Sequence, residues 1–269
     1  MSDEGKGYLL AGQLSELERL QLQSRVWEPA GRSLLARLPP STGRRALDIG
    51  CGVLGWLRLL SEWVGRDGEV VGSDVADNLL AAAQSFVDRE RLSNVTLVHD
   101  DLFNSHLPPQ SFDLVHARFM LGPLGRAAEQ LALYRRLVKP GGWIVLEEVD
   151  AASWRLHPST PSAERLIQLI AEVFQTVGGN QYMGRELPSL LRTLGAEPTI
   201  GAQVLALPPG HPYLRLPLQF ATSLETHLVA VVGADELGAL RRDVEQALNA
   251  PETWGTTATL IQAFVAVPQ

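Results

Sequence analysis

Short apolar runs alternate with amphipathic stretches along the middle of this chain. Apolar runs typical of buried strands occur at residues 46–48, 69–74, 95–99, 111–118 and 143–148. Helical patterns lie between them, and a Pro-Gly-Gly turn at residues 140–142 precedes the last run. This alternation predicts parallel strands joined by right-handed crossovers. Ligands of such sheets bind beyond the carboxyl ends of the strands.

Both flanks of this region are mostly helical. Apolar residues at helical spacing predict a helix from residue 14 to about residue 37, which Pro29 is expected to divide in two. Residues 151–161 have the composition of a loop. Further helices are predicted over 162–177, 187–194 and 213–250. Late strands are predicted over 199–207 and 257–267.

These patterns divide the chain into three parts of one structural unit. Residues 1–40 are predicted to form an N-terminal helical cap, and residues 41–150 an α/β core that would bind a cofactor. Residues 151–269 are predicted to supply lid helices for a substrate and the last strands of the sheet.

A glycine turn follows the first strand and contains the most informative residues. Gly50 and Gly52 stand two residues after Asp48, and a helical pattern begins directly behind them. Glycines allow a ligand to approach the backbone, and the free N–H groups of a helix start favour polar or anionic groups. Gly55 completes the formal spacing of a dinucleotide fingerprint. The carboxylate of Asp48 would repel a pyrophosphate, whereas a cationic ligand would tolerate it.

Acidic residues also follow the second and third strands. Asp74 ends the second strand, where a carboxylate suits two ribose hydroxyls, although it could instead cap the next helix. Asp101 and Leu102 follow the third strand, where a carboxylate and a backbone N–H can bind adenine. Because the carboxyl ends of parallel strands share one edge, these residues should converge on one site.

The ordered set of motifs resembles the class I S-adenosylmethionine-dependent methyltransferases. The resemblance covers about residues 40–150 and implies a doubly wound, seven-stranded, mostly parallel sheet, that is, a Rossmann-like methyltransferase fold with N-terminal helices and a helical lid insertion. The motifs that carry it are Leu47-Asp-Ile-Gly-Cys-Gly52, Val71-Gly-Ser-Asp74, His99-Asp-Asp-Leu102, Phe112-Asp-Leu-Val-His116 and Arg136-Leu-Val-Lys-Pro-Gly-Gly142.

The resemblance also implies how S-adenosylmethionine would be held. Asp74 would hold the ribose, and Asp101 with Leu102 the adenine. Asp48, Gly50 and Gly52 would hold the methionyl end, and Tyr8 would lie across the cofactor. Cys51 and Arg118 are the other expected cofactor contacts. One position departs from the family pattern, since Leu54 stands where a third glycine is usual and Gly55 comes one residue later.

Composition and charge narrow the classes of partner. The chain has 269 residues, a net charge of −7 and no basic run, which disfavours a nucleic-acid substrate. No apolar run approaches the roughly 18 residues of a membrane span, and the acidic N-terminus does not resemble a secretory signal. The histidines lack the spacing of metal ligands, and Cys51 is the single cysteine. A cytoplasmic enzyme with a small-molecule substrate fits these properties, and a homodimer is kept open.

The sequence pattern gives only candidates for the residues that would contact the methyl acceptor. His116, Glu148 and Asp150 lie near strand ends and are the candidates for catalysis, although each could serve structure alone. Methyl transfer from a sulfonium needs alignment more than a base, so no catalytic triad is required. The apolar lid favours a hydrophobic, natural-product-like acceptor. The alternatives are a cyclase or pericyclase of secondary metabolism on the same scaffold, a nicotinamide-dependent oxidoreductase, and a non-catalytic binding module.

Overall fold

The computed structural model describes residues 14–269 of the chain, with side chains from residue 17 onward. The strands are β1 (Arg45–Ile49), β2 (Glu69–Asp74), β3 (Val95–His99), β4 (Phe112–Arg118), β5 (Val138–Asp150), β6 (Arg155–His157), β7 (Thr199–Gln203), β8 (Ala206–Leu207), β9 (Trp254–Thr256) and β10 (Thr259–Ala266). The helices are α1 (Leu14–Leu35), α2 (Leu57–Val64), α3 (Asp77–Glu90), α4 (Leu121–Leu124), α5 (Ala127–Leu137), α6 (Pro161–Thr176), α7 (Leu187–Arg192), α8 (Leu216–Ser223), α9 (Glu225–Val232) and α10 (Ala234–Leu248).

Seven strands form one sheet in the order β3-β2-β1-β4-β5-β10-β7. The first five of these strands are parallel, and β10 is antiparallel to both β5 and β7. The strand order reverses between β1 and β4, which is where doubly wound sheets bind ligands. The predicted fold class is therefore confirmed, including the antiparallel edge that the late strands build.

Helices cover both faces of this sheet because its central strands are apolar on both sides. On one face, α1, α2 and α3 pack against Ala46, Leu114 and Val145. On the other face, α5 and α7 pack against Val115 and Leu146. Successive residues of a strand point to opposite faces, so these neighbours in sequence stabilise two separate apolar layers.

A third apolar cluster joins the lid helices α6, α8, α9 and α10. It packs around a small sheet with the strand order β6-β9-β8. This sheet corrects two sequence predictions, because β6 lies in the presumed loop 151–161 and the presumed strand 199–207 divides into β7 and β8. The two pieces separate because β7 pairs with β10 in the large sheet, whereas β8 pairs with β9 in the small one.

The prediction that Pro29 divides the first helix was wrong, since α1 continues through it. A proline inside a helix removes one backbone donor, and its ring clashes with the carbonyl four residues earlier, which together cost about 3 kcal/mol or more. Trp27, Ala30 and Leu34 are buried on either side of it, and their burial stabilises the continuous helix. None of the helices in the described part of the chain combines the length and apolar character that crossing a membrane requires.

Candidate active site

The glycine turn joins β1 to α2 at the carboxyl edge of the sheet. Gly50, Gly52 and Gly55 all have positive φ, at 64°, 56° and 40°. A Cβ atom on Gly50 would overlap Met120 Sδ, and one on Gly55 would overlap Asp48 Oδ2. The left-handed position that the family motif would place at residue 54 is therefore at Gly55, which accounts for Leu54 in the sequence.

Asp48 lies beneath this turn and is almost completely buried. Its Oδ2 accepts a hydrogen bond from the Trp56 backbone N–H at 2.8 Å, and its Oδ1 lies 2.7 Å from His116 Nδ1. Each oxygen thus has a protein partner, and the carboxylate holds the far end of the glycine turn at Trp56. The structure places Asp48 at the floor of the site, where it organises the backbone.

Asp74 ends β2 beside the same turn. Its Oδ2 accepts from the Gly52 N–H at 2.9 Å, and its Oδ1 accepts from the Ala76 N–H at 3.0 Å. It does not act as the N-cap of α3, because Ala76 holds that position. Burial raises the pKa of Asp74, and the backbone N–H groups counteract this effect. Each oxygen keeps a further lone pair for a ligand.

The segment after β3 forms the next part of the edge. The side chain of Asp101 is exposed, and its Oδ1 accepts from the Phe103 N–H at 3.0 Å. Leu102 is buried beside it. Val75, which follows Asp74, is 58% exposed and lines the same cavity. Its place on the cavity wall makes Val75 a candidate ligand contact, which the sequence pattern alone does not indicate.

Arg118 ends β4 and reaches toward helix α1. Its Nη2 donates to Ser24 Oγ at 3.2 Å, while its Nη1 lies 3.8 Å from Glu147 Oε2. Nη1 is buried without a hydrogen-bond partner among the described residues. A buried guanidinium donor without a partner is costly unless a ligand completes it.

Cys51, between the two glycines, is buried. Burial, with the nearby carboxylates of Asp48 and Asp74, raises the pKa of its thiol well above the usual value. The thiol is therefore neutral, which disfavours a nucleophilic role.

These residues share one cavity of about 630 Å³. The turn residues, Asp74 and Asp101 line one end. The other end is mostly aromatic, and its side chains are Trp27, Trp154, Phe174, Tyr213 and Phe220. Phe220 is its centre, since its ring lies 5.9 Å from the rings of both Trp154 and Phe174 in edge-on contacts. The cavity thus has a polar end and a flat-walled apolar end.

The three catalytic candidates lie in different surroundings. His116 has no exposed surface, and both of its ring nitrogens face carboxylates. Asp150 forms a two-pronged ion pair with Arg185, at 2.7 Å for both contacts, and does not line the cavity. The Arg185 guanidinium holds the pKa of Asp150 below its usual value. The His116 ring borders the cavity but has no exposed surface, and the Asp150 carboxylate is held by Arg185, so neither side chain is placed to contact an acceptor.

Glu148 is the third candidate and does line the cavity. Its Oε1 accepts from the Leu121 N–H at 2.6 Å, and its Oε2 has no hydrogen-bond partner in the described part of the chain. Burial raises the pKa of Glu148 to about 8, against the lowering effect of the backbone N–H groups. This carboxyl group is therefore mostly protonated near pH 7.

Two further predictions concern single residues and metals. Tyr8, expected to cover the cofactor, lies outside the described residues. Within residues 14–269, no group of His, Cys, Asp and Glu side chains is arranged to hold a metal ion.

The strand order and the turn at the carboxyl edge define a doubly wound α/β protein whose ligand site lies at the switch point of the sheet. Residues 46–142 match the family model described as Methyltransferase domain. Residues 46–142 are therefore similar to a methyltransferase domain, and the resemblance seen in the sequence motifs is confirmed.

Relatives and solved structures agree with this family. A demethylmenaquinone methyltransferase from Geobacillus sp. (strain WCH70) is 36% identical over 116 residues, which are 43% of this chain and 50% of that protein. The chain spans about half the length of the curated relatives it matches.

Two solved structures show the likeness of fold. A SAM-dependent methyltransferase from Aquifex aeolicus has 21% identity and a TM-score of 0.53, over 72% of this chain and 92% of that one. The cyclase SpnF has 21% identity and a TM-score of 0.52, over 88% of this chain and 80% of that one. The fold alone therefore does not separate methyl transfer from cyclisation.

Proposed function

We propose that this protein is an S-adenosylmethionine-dependent methyltransferase whose acceptor is a small, flat, apolar molecule. The observation that carries the proposal is the single cavity in which the glycine turn and Asp74 form one end and aromatic rings form the other. The relatives named as demethylmenaquinone methyltransferases support a ring-bearing acceptor of the hydroquinone kind. Such an acceptor matches the flat walls of the aromatic end.

The residues at the polar end fit the cofactor group by group. Asp74 has lone pairs left for the ribose hydroxyls, and the open space at Gly52 leaves its backbone accessible. Val75 and Leu102 provide apolar contacts for the adenine, with the carboxylate of Asp101 beside them. The buried Nη1 of Arg118 has no hydrogen-bond partner among the described residues, and a methionyl carboxylate would supply one.

The chemistry requires little from the protein beyond alignment. When bound, S-adenosylmethionine supplies an electrophilic methyl group on a sulfonium. The aromatic rings exclude water from the apolar end and orient the acceptor, and alignment can contribute several kcal/mol to the rate. Neither His116 nor Asp150 is placed to remove a proton from the acceptor, so no base from these two residues enters the proposal.

Calorimetric titration with S-adenosylmethionine, S-adenosylhomocysteine and NADPH tests the cofactor. Asp74→Ala should weaken binding of the adenosyl ligands by roughly 1–3 kcal/mol, because it removes a carboxylate hydrogen bond. Asp77→Ala is the matched control, since its carboxylate is three residues away and 89% exposed. Binding of NADPH alone, or equal affinities for both variants and the wild type, would contradict the assignment.

Transfer of a labelled methyl group to a panel of hydroquinones and hydroxylated aromatics tests the reaction. Labelled product is expected, and conversion of a substrate without label would instead identify a cyclase. Phe220→Ala should raise KM for the acceptor without changing cofactor affinity, because Phe220 centres the aromatic end. Val231→Ala, exposed on α9, is the control variant.

A further inference from the structure

A row of buried polar side chains crosses four adjacent strands beneath the glycine turn. Asp48, His116, Glu147 and Gln262 come from β1, β4, β5 and β10, and none is more than 3% exposed. In the strand pairing, Asp48 lies opposite His116, and Glu147 lies opposite Gln262. The four side chains therefore point to the same face of the sheet. We name this group the buried polar row.

His116 connects the two acids of the row. Its Nδ1 lies 2.7 Å from Asp48 Oδ1, and its Nε2 lies 3.4 Å from Glu147 Oε2. A neutral imidazole has one N–H and one lone pair, so it can donate to only one of two carboxylates. An imidazolium donates to both. The geometry on both sides of the ring therefore favours the charged form.

The surroundings of His116 agree with a positive charge. Hydrogen bonds and charge from Asp48 and Glu147 raise the pKa of His116, although burial opposes them. Arg118, 3.8 Å from Glu147, is a second cation that faces the row, and Asp74 is a further acid that interacts with Asp48 through charge. The indole of Trp56 stacks on the imidazole at 3.8 Å between ring centroids. The negative charges of Asp48 and Glu147 are then balanced within the buried polar row by the positive charges of His116 and Arg118.

The row also anchors the residue that ends the glycine turn. Trp56 donates from its backbone N–H to Asp48 at 2.8 Å and from Nε1 to Glu147 at 2.7 Å. Both acceptors are the acids that His116 bridges. Loss of the charge on His116 would leave Asp48 or Glu147 facing a lone pair, directly below the turn. The backbone of Gly50 to Gly55 is therefore linked to the protonation of one histidine.

We propose that the imidazolium of His116 is a positioning group for the cofactor site, which acts through Asp48 and Trp56 to hold the glycine turn in its binding conformation. This inference rests on the proposed function, because it assumes that the turn contacts an adenosyl cofactor. It assigns His116 no contact with the acceptor and no part in proton transfer to it.

Cofactor affinity measured by calorimetry between pH 6 and pH 9 tests this role. Wild-type affinity for S-adenosylmethionine should fall by about tenfold as pH rises through the pKa of His116, since a hydrogen bond to a charged group is lost. His116→Gln should bind about tenfold more weakly at pH 6.5, and its affinity should not show this step. The amino group of the ligand titrates in both experiments, so the difference between the two curves reports His116.

A second variant tests the source of the charge, and a spectroscopic signal from the folded protein guards against simple misfolding. Glu147→Gln should shift the wild-type step to lower pH, because it removes one acid that stabilises the imidazolium. In the protein without ligand, an imidazolium quenches an indole stacked on it. Trp56 fluorescence should therefore rise over the same pH range, and the rise should be absent in Trp56→Phe and in His116→Gln.

The outcomes separate this inference from the proposed function. Equal pH dependence of cofactor affinity in the wild type and in His116→Gln would refute the positioning role, as would the absence of a fluorescence step. If the wild type fails to bind S-adenosylmethionine at every pH, the proposed function is refuted and the positioning role with it. The fluorescence step would then still report the charge state of His116.

Discussion

Glu147 and Glu148 are neighbours on β5. Replacement of each by Gln should change the stability of the protein at pH 7 in opposite directions. Both are buried, at 0% and 1% exposure, and they face opposite sides of the sheet. Glu147 meets His116, Arg118 and Gln262, which lower its pKa despite burial. Glu148 meets the Leu121 N–H without a cationic partner, and burial raises its pKa from 4.5 to about 8. Replacement of each by Gln removes the titration with little change in volume.

The sign follows from comparing folded and unfolded states. Since the folded pKa of Glu148 is the higher one, the unfolded chain loses the proton first, and stability falls as pH rises from 4.5 toward about 8. Each step of one in pKa corresponds to about 1.4 kcal/mol, so the loss between pH 4.5 and pH 7 amounts to roughly 3 kcal/mol. Glu148→Gln cannot lose a proton, and its amide oxygen can still accept from Leu121. Its stability relative to wild type should therefore increase by roughly 3 kcal/mol over this range.

Urea unfolding of the wild type and both variants at several pH values between 4.5 and 8 provides the measurement. Glu147→Gln should instead destabilise at pH 7, by roughly 3–5 kcal/mol, because it breaks a buried charge pair and leaves His116 with one fewer acid. Two results would refute the reasoning: a constant difference between Glu148→Gln and the wild type across this pH range, or the same sign of effect for both variants at pH 7.

Two further predictions concern the turn and the remaining acidic candidate. Gly55→Ala should destabilise the fold, and weaken cofactor binding, by at least about 1 kcal/mol more than Gly195→Ala in parallel denaturation and calorimetric measurements. Both positions have positive φ, but only at Gly55 would the new Cβ overlap Asp48, so equal effects would contradict the packing argument. Asp150→Asn should change methyl transfer less than twofold and stability by less than about 1 kcal/mol, because Asp150 forms a partly exposed ion pair with Arg185. A large loss of kcat in this variant would return Asp150 to the catalytic candidates.

The large sheet was predictable because its evidence is local. Each parallel strand is a short apolar run, all but β4 are ended or directly followed by an acid or a glycine, and the runs are spaced by helical patterns. The small sheet was not predictable, since β6 and β9 have three residues each and pair across about a hundred residues of sequence. Three residues carry no measurable periodicity. The same limit explains the division of residues 199–207 between two sheets.

At the site, the sequence predicted where the functional residues lie better than it predicted the residues to which they are hydrogen-bonded. Asp48, Asp74 and Asp101 do meet at one cavity, because parallel strands end at one edge. The hydrogen bonds of Asp48 were not predictable, because His116 is 68 residues away and belongs to another strand. The alternation of β5 predicts that Glu147 and Glu148 face opposite sides, but not which of them is charged. Ionisation depends on the groups of other elements that each face presents.

The family resemblance includes the residues at one end of the cavity but not those at the other. Gly50, Gly52, Asp74, Asp101 and Arg118 all lie within residues 46–142, where the methyltransferase family model matches. The rings of the aromatic end come from residues 27, 154, 174, 213 and 220, all outside that range. A resemblance confined to residues 46–142 supports an inference about the cofactor end of the cavity. It gives no information about the acceptor. The acceptor of this protein must therefore be established on its own aromatic residues, and Phe220, which contacts two of the other rings, is where its specificity is best tested.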